Sequence, residues 1–107
     1  MTPGGDGAQA YVAVLKIELH FPEAGSLKAR RRELAPVKAY VQKMGGTVAE
    51  AGPHDRWQLA TVVAAFTANS PGRLDAACDR LEAWLDARFP SGVTVRRTVS
   101  SLRDLMD

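Results

Sequence analysis

The chain has 107 residues, 46% of them hydrophobic and 24% charged, with a formal net charge of +2. That size and balance predict one soluble globular domain, and no stretch approaches the roughly 18 apolar residues that a membrane span needs. A single cysteine, Cys78, excludes an internal disulfide framework and fits a reducing, cytoplasmic setting.

Residues 1–10, MTPGGDGAQA, lack periodicity and have neither the cationic nor the apolar region of a secretory signal. They read as a flexible lead-in outside the core. From Tyr11 to Phe21 the chain alternates. Ala13, Leu15, Ile17, Leu19 and Phe21 share one face, while Val12, Val14, Lys16, Glu18 and His20 share the other. This is strand periodicity with the first set facing inward. Pro22 and Gly25 break it. Ser26 is the expected cap of a helix from Leu27 to about Met44, with Leu27, Leu34, Val37, Val41 and Met44 as its apolar stripe. Pro36 costs an interior helix about 3 kcal/mol. The reading is a bent continuous helix, with a helix starting near Pro36 as the alternative. Gly45 and Gly46 end it.

Thr47 to Ala51 reads as a short strand, residues 52–56 as a turn, and residues 57–67 as a longer strand apolar on both faces. Ser70-Pro71 starts a second helix whose stripe is Leu74, Cys78, Leu81, Trp84 and Leu85. Phe89-Pro90 stops it, Ser91-Gly92 turns the chain, and residues 93–99 form the last strand. Residues 100–107 are a C-terminal tail with helical character. The order βαββαβ over residues 11–99 predicts an α+β, ferredoxin-like sandwich. Its four-stranded antiparallel sheet has the first and third strands at the centre, two helices on one face, and the other face open.

Catalytic signals are sparse. His20, His54 and Cys78 stand at no metal-ligand spacing, and no glycine-rich phosphate loop occurs. No catalytic residue, metal or cofactor is therefore assigned, and Cys78 on the second helix's stripe reads as an inert core residue. The charge pattern is more informative. Between residues 28 and 43, Lys28, Arg30, Arg31, Arg32, Lys38 and Lys43 face Glu33 alone. Lys28, Arg31, Arg32, Lys38 and Lys43 read as a surface for a polyanion such as structured RNA, with a merely solvated helix face as the alternative. Arg30 projects with the apolar stripe, so it is expected to pair with Glu50 or Asp55 in a structural role. On the open sheet, Val12, Val14, Trp57, Leu59 and Val63 form an apolar patch expected to bury against a second copy. Trp57 could instead stack a base, although the aromatic signature of RNA-recognition sheets is missing.

Three separated segments, YVAVLKIELHFP (11–22), SLKARRREL (26–34) and AEAGPHDRWQLA (49–60), together resemble the YlxP-like family of small bacterial proteins of unassigned function. The resemblance implies a ferredoxin-like fold, a cytoplasmic location, and a gene often beside translation and ribosome-maturation factors. Ser26, Leu27, Lys28, Arg31 and Arg32 match its helix motif, and Glu50, Asp55, Trp57 and Gln58 match its hairpin motif. Leu59 stands where the family usually has a cation, which makes this open face more apolar. Pro36 and the lead-in also depart from the pattern. The resemblance brings no catalytic residues. The combined reading is a non-enzymatic binding module, with RNA or a ribosomal particle as partner. The alternative is a homodimeric structural or regulatory protein whose ligand is another protein. An acylphosphatase-type hydrolase ranks last, because the loop FPEAGS (21–26) contains no arginine.

Overall fold

The protein is described by a computed structural model covering residues 9–53, 55–90 and 92–107. The lead-in residues 1–8, the turn histidine His54 and Ser91 lie outside the described residues. The elements run β1 (Tyr11–His20), α1 (Leu27–Lys43), β2 (Thr47–Gly52), β3 (Leu59–Ala68), α2 (Pro71–Arg88), β4 (Val93–Ser101) and α3 (Leu102–Met106). The sheet order is β2-β3-β1-β4, antiparallel throughout, with β1 and β3 central. This is the ferredoxin-like arrangement that the element order predicts.

The alternation in β1 sets the layers. Ala13, Leu15, Ile17 and Leu19 are buried, and in register they face Phe66, Ala64, Val62 and Ala60 of β3. Against this floor pack Leu34, Val37 and Val41 of α1 and Leu74, Cys78, Leu81 and Leu85 of α2. A buried leucine of this kind contributes about 1.5–3 kcal/mol relative to an exposed one. The helix starts follow side-chain capping: Ser26 Oγ accepts from the Ala29 N–H at 3.0 Å and Ser70 Oγ from the Arg73 N–H at 3.3 Å. Pro71 occupies the first turn of α2, where its missing N–H costs nothing.

Helix α1 runs through Pro36 as one element. It ends where Gly45 takes φ +89° and the Gly46 N–H returns to the Val41 carbonyl at 3.0 Å. Gly46 is also sterically required: a Cβ there would lie 2.5 Å from the Phe66 ring.

Several boundaries and stripe positions differ from expectation. Leu27 is 40% exposed as the first residue of α1, and the first inward residue of the helix is Arg30. Met44 is only half-buried. Trp84 is likewise half-buried and stacks on Tyr40 of α1, with ring centroids 4.4 Å apart and planes within 5°. It therefore joins the two helices at their edge instead of filling the core. The last strand extends to Ser101, whose hydroxyl caps α3 by accepting from the Asp104 N–H at 3.1 Å. Trp57 lies in the turn before β3, which begins at Leu59.

Leu81 has no solvent exposure and belongs to the single core cluster. Leu81→Ala is expected to lower unfolding free energy by about 2–5 kcal/mol in urea titration. A loss below about 0.5 kcal/mol would mean that α2 is not docked through this residue.

Candidate functional site

The cations of α1 divide into two groups. Arg30 points inward at 3% exposure. A buried guanidinium must spend its donors on acceptors, and here Nη1 donates to Glu50 Oε1 at 3.0 Å, Nη2 to the Pro53 carbonyl at 3.0 Å, and Nε to the Leu59 carbonyl at 3.3 Å. Lys38, one helical face over, donates to the second oxygen of Glu50. Glu50 therefore bridges two cations of α1 from β2. The Lys38 hydrogen bond does most to hold the Glu50 carboxyl below its ordinary range; burial opposes it and Arg30 adds to it. Asp55, the other carboxylate considered for Arg30, is exposed and takes no part in this cluster. It sits on the tip of the β2–β3 loop, while Arg30 reaches only the loop's two ends.

Lys28, Arg31, Arg32 and Lys43 are exposed, and none is in an ion pair among the described residues. Lys38 leaves the set of free cations, because its charge is spent on Glu50. Lys28 and Lys43 lie near opposite ends of α1, about 22 Å apart at 1.5 Å rise per residue. The cationic surface thus spans the helix.

The sheet face away from the helices carries Val12, Val14, Lys16, Glu18 and His20 of β1. In register beside them stand Leu59, Thr61 and Val63 of β3 and Thr94, Arg96 and Thr98 of β4. Helices α1 and α2 pack on the other face, and Val14 at the centre of this one is 42% exposed. Val12, Leu59 and Val63 are half-buried. Trp57 is 46% exposed at the end of the sheet, so β1, β3 and β4 present no Phe, Tyr or Trp on this face, and His20 is its one ring. Lys16 stands directly across from Arg96 and pairs with Glu18 at 3.8 Å.

Two polar anchors had weaker signals in the sequence. Gln58 Nε2 donates to the Ala24 carbonyl at 2.9 Å, tying the β2–β3 loop to the β1–α1 loop. Arg97 on β4 reaches Asp79 at 2.9 Å and Glu82 at 3.3 Å on α2. Strand alternation places Arg97 on the helix side of β4, and that was the available signal. Cys78 is buried beside Arg97, and burial pushes its thiol up despite the cation. A protonated, inaccessible thiol is a poor nucleophile. Among the described residues no group of three His, Cys, Asp or Glu could hold a metal ion, and no helix is long and apolar enough to cross a membrane.

Residues 12–98 match the model of a family described as a protein of unknown function, DUF503. The chain belongs to this family. The DUF503 match covers the whole sheet except its outermost residues, together with α1, α2 and the Arg30–Glu50 cluster. A comparison with curated proteins finds no match. Among solved structures, the chain is similar to the de novo designed protein Foldit4 (14% identity, 83% of this chain and 96% of that one, TM-score 0.54). It is also similar to a C-terminal segment of the alpha subunit of aIF2 from Pyrococcus abyssi (10% identity, TM-score 0.54). That match covers 83% of this chain and spans about half, 51%, of that one. A third is SnoaB, a cofactor-independent oxygenase from Streptomyces nogalater (11% identity, 87% and 92% covered, TM-score 0.50). At such identities the likeness is one of fold.

Removing the carboxylate from Glu50 strands Arg30, whose side chain is 4% exposed. Glu50→Gln is expected to cost about 1–3 kcal/mol at neutral pH, because Glu50 is only half-buried and Arg30 keeps the Pro53 and Leu59 carbonyls. Because the folded Glu50 is more acidic than the unfolded one, its contribution is complete above the unfolded value and is lost as pH falls through the folded value. Urea midpoints of the two proteins should therefore converge on acidification. An equal gap at neutral and strongly acid pH would refute this role.

Proposed function

We propose that this chain is a non-enzymatic binding module whose helix α1 engages a polyanion, structured RNA of the ribosome or of its maturation. The observation that carries the reading is the division of α1: Arg30 and Lys38 are consumed by Glu50, whereas Lys28, Arg31, Arg32 and Lys43 are exposed and unpaired among the described residues. Four free cations along one helix form a positive surface that phosphates neutralise with counterion release. The resemblance of residues 26–34 and 49–60 to the YlxP-like family supports the choice of RNA, since it implies a gene often beside translation and ribosome-maturation factors. Each phosphate contact contributes about 0.7–0.9 to the slope of log affinity against log salt. Lys28→Glu, Arg31→Glu and Lys43→Glu combined should weaken binding of a structured RNA across sequences. The same triple change should flatten the salt slope by about 2–3, with the circular dichroism spectrum unchanged. Absence of saturable binding near physiological salt, or indifference to the triple change, would overturn the reading.

A homodimer through the open sheet is the second reading, favoured by Val14, 42% exposed at the centre of an uncovered face. Leu59→Arg should weaken that association in sedimentation equilibrium. A monomer at every concentration would remove the reading, and a dimer unaffected by Leu59→Arg would place the interface elsewhere.

A further inference from the structure

The two outer strands end the sheet differently. β2 has six residues, its pairing with β3 shifts register between Glu50 and Gly52, and Pro53 follows it. A short strand, a bulge and a proline are devices that stop a further strand from adding. β4 has nine residues, contains no proline, and pairs with β1 in unbroken register from Leu19↔Val93 to Tyr11↔Ser101. The direction of its backbone groups follows from the two ends of that ladder. The His20 N–H donates to the Gly92 carbonyl at 2.8 Å, and the Leu102 N–H donates to the Ala10 carbonyl at 2.8 Å. Antiparallel residues alternate between facing the partner and facing away. The even-numbered residues of β4 therefore turn their N–H and C=O groups to β1, and Val93, Val95, Arg97 and Val99 turn theirs to the outside of the sheet. A straight row of donors and acceptors is matched by one kind of ligand, another extended strand.

The side chains select which strand. Apolar surface is exposed along the same stretch: Val99 is 40% exposed, and Leu105 and Met106 of α3, directly after β4, are 51% and 72% exposed. Arg97 is the middle residue of β4. A two-fold axis through it pairs β4 antiparallel with a second β4 over the whole strand. Val95 then stands opposite Val99 of the second copy, an apolar cross-strand pair, and Arg96 stands opposite Thr98. An axis at Arg96 would set two cations together on the open face. An axis at Thr98 would set Val99 against Arg97, and one at Val95 would leave Val99 beyond the pairing. Arg97 does meet its own copy, but each guanidinium already lies against Asp79 at 2.9 Å and Glu82 at 3.3 Å. The seam therefore brings carboxylates together with the two arginines.

We infer that the free edge of β4 binds a second copy of this chain, β4 to β4, antiparallel about Arg97, so that two sheets become one. This goes beyond the open-face reading, since edge pairing leaves Val12, Val14, Leu59 and Val63 uncovered. It is also independent of the free cations of α1.

The test combines sedimentation equilibrium with amide hydrogen exchange on the full chain. A dimer is expected, with the amides of Val95, Arg97 and Val99 exchanging more slowly as chain concentration rises. Those of Thr94, Arg96 and Thr98 should be slow throughout, because they face β1. Val99→Pro removes an N–H that faces away from β1, a position where an edge strand tolerates proline. It should keep the circular dichroism spectrum and weaken association about tenfold or more, whereas Leu59→Arg should leave this dimer intact. If Val99→Pro does not fold, the exchange pattern of the unaltered chain decides alone. A monomer up to about 1 mM would overturn the inference. So would a dimer whose Val95, Arg97 and Val99 amides exchange at one rate at every concentration, or a folded Val99→Pro chain that associates as strongly as the unaltered one.

Discussion

A buried guanidinium cannot be left without acceptors, and the placement of Arg30 follows from that constraint. It sits where the apolar stripe of α1 would otherwise hold a leucine, and it spends its donors on β2, the first residue after β2 and the first residue of β3. The helix, an edge strand and the loop between the two strands are thereby registered to one another by a single side chain. Glu50 must then accept from two cations at once, which ties Lys38 into the same contact. Gln58 completes the fastening by reaching back to the loop before α1. One end of the molecule is held by polar contacts of fixed geometry, while its middle is held by close-packed aliphatic side chains.

The sheet is asymmetric for a simpler reason. Strict alternation in β1 gives one face that is wholly apolar and another that mixes valine with Lys16, Glu18 and His20. Both helices pack on the first face because no comparable apolar area exists on the second. The open face remains wettable through Thr61, Thr94 and Thr98, which keep the β-branched shape that strands favour without adding apolar area. Val14 is the exception, and its exposure at the centre of the sheet marks where a partner would gain most.

Charge is used differently on the two helices. On α2 the outward acids Asp79 and Glu82 receive Arg97 from β4, so the edge strand is clamped by ion pairs above a core that includes Cys78. On α1 the two cations nearest β2 are neutralised internally, and those around the rest of the circumference are not. A basic helix read as one undivided surface is in the folded protein two populations, one structural and one free.

Periodicity determined the element order, the inward face of β1 and most of the hydrophobic stripes that form the core, and residue type marked the caps at Ser26 and Ser70. Those features depend on neighbours close in sequence, where the geometry of helix and strand is known in advance. The inward direction of Arg30 was legible for the same reason. Its acceptors were not: Glu50 and Asp55 were both available in sequence, and only the course of the β2–β3 loop brought Glu50 and two carbonyls to the guanidinium while leaving Asp55 at the tip. The withdrawal of Lys38 from the cationic surface, the stacking of Trp84 on Tyr40, and the contact of Phe21 with Phe89 likewise join residues far apart in the chain. Such contacts depend on how helices and loops are set across the sheet, and no local spacing carries that information. Tertiary packing decided which charges are spent and which are free, because a charge is defined by its partner, and here the partners come from other elements of the fold.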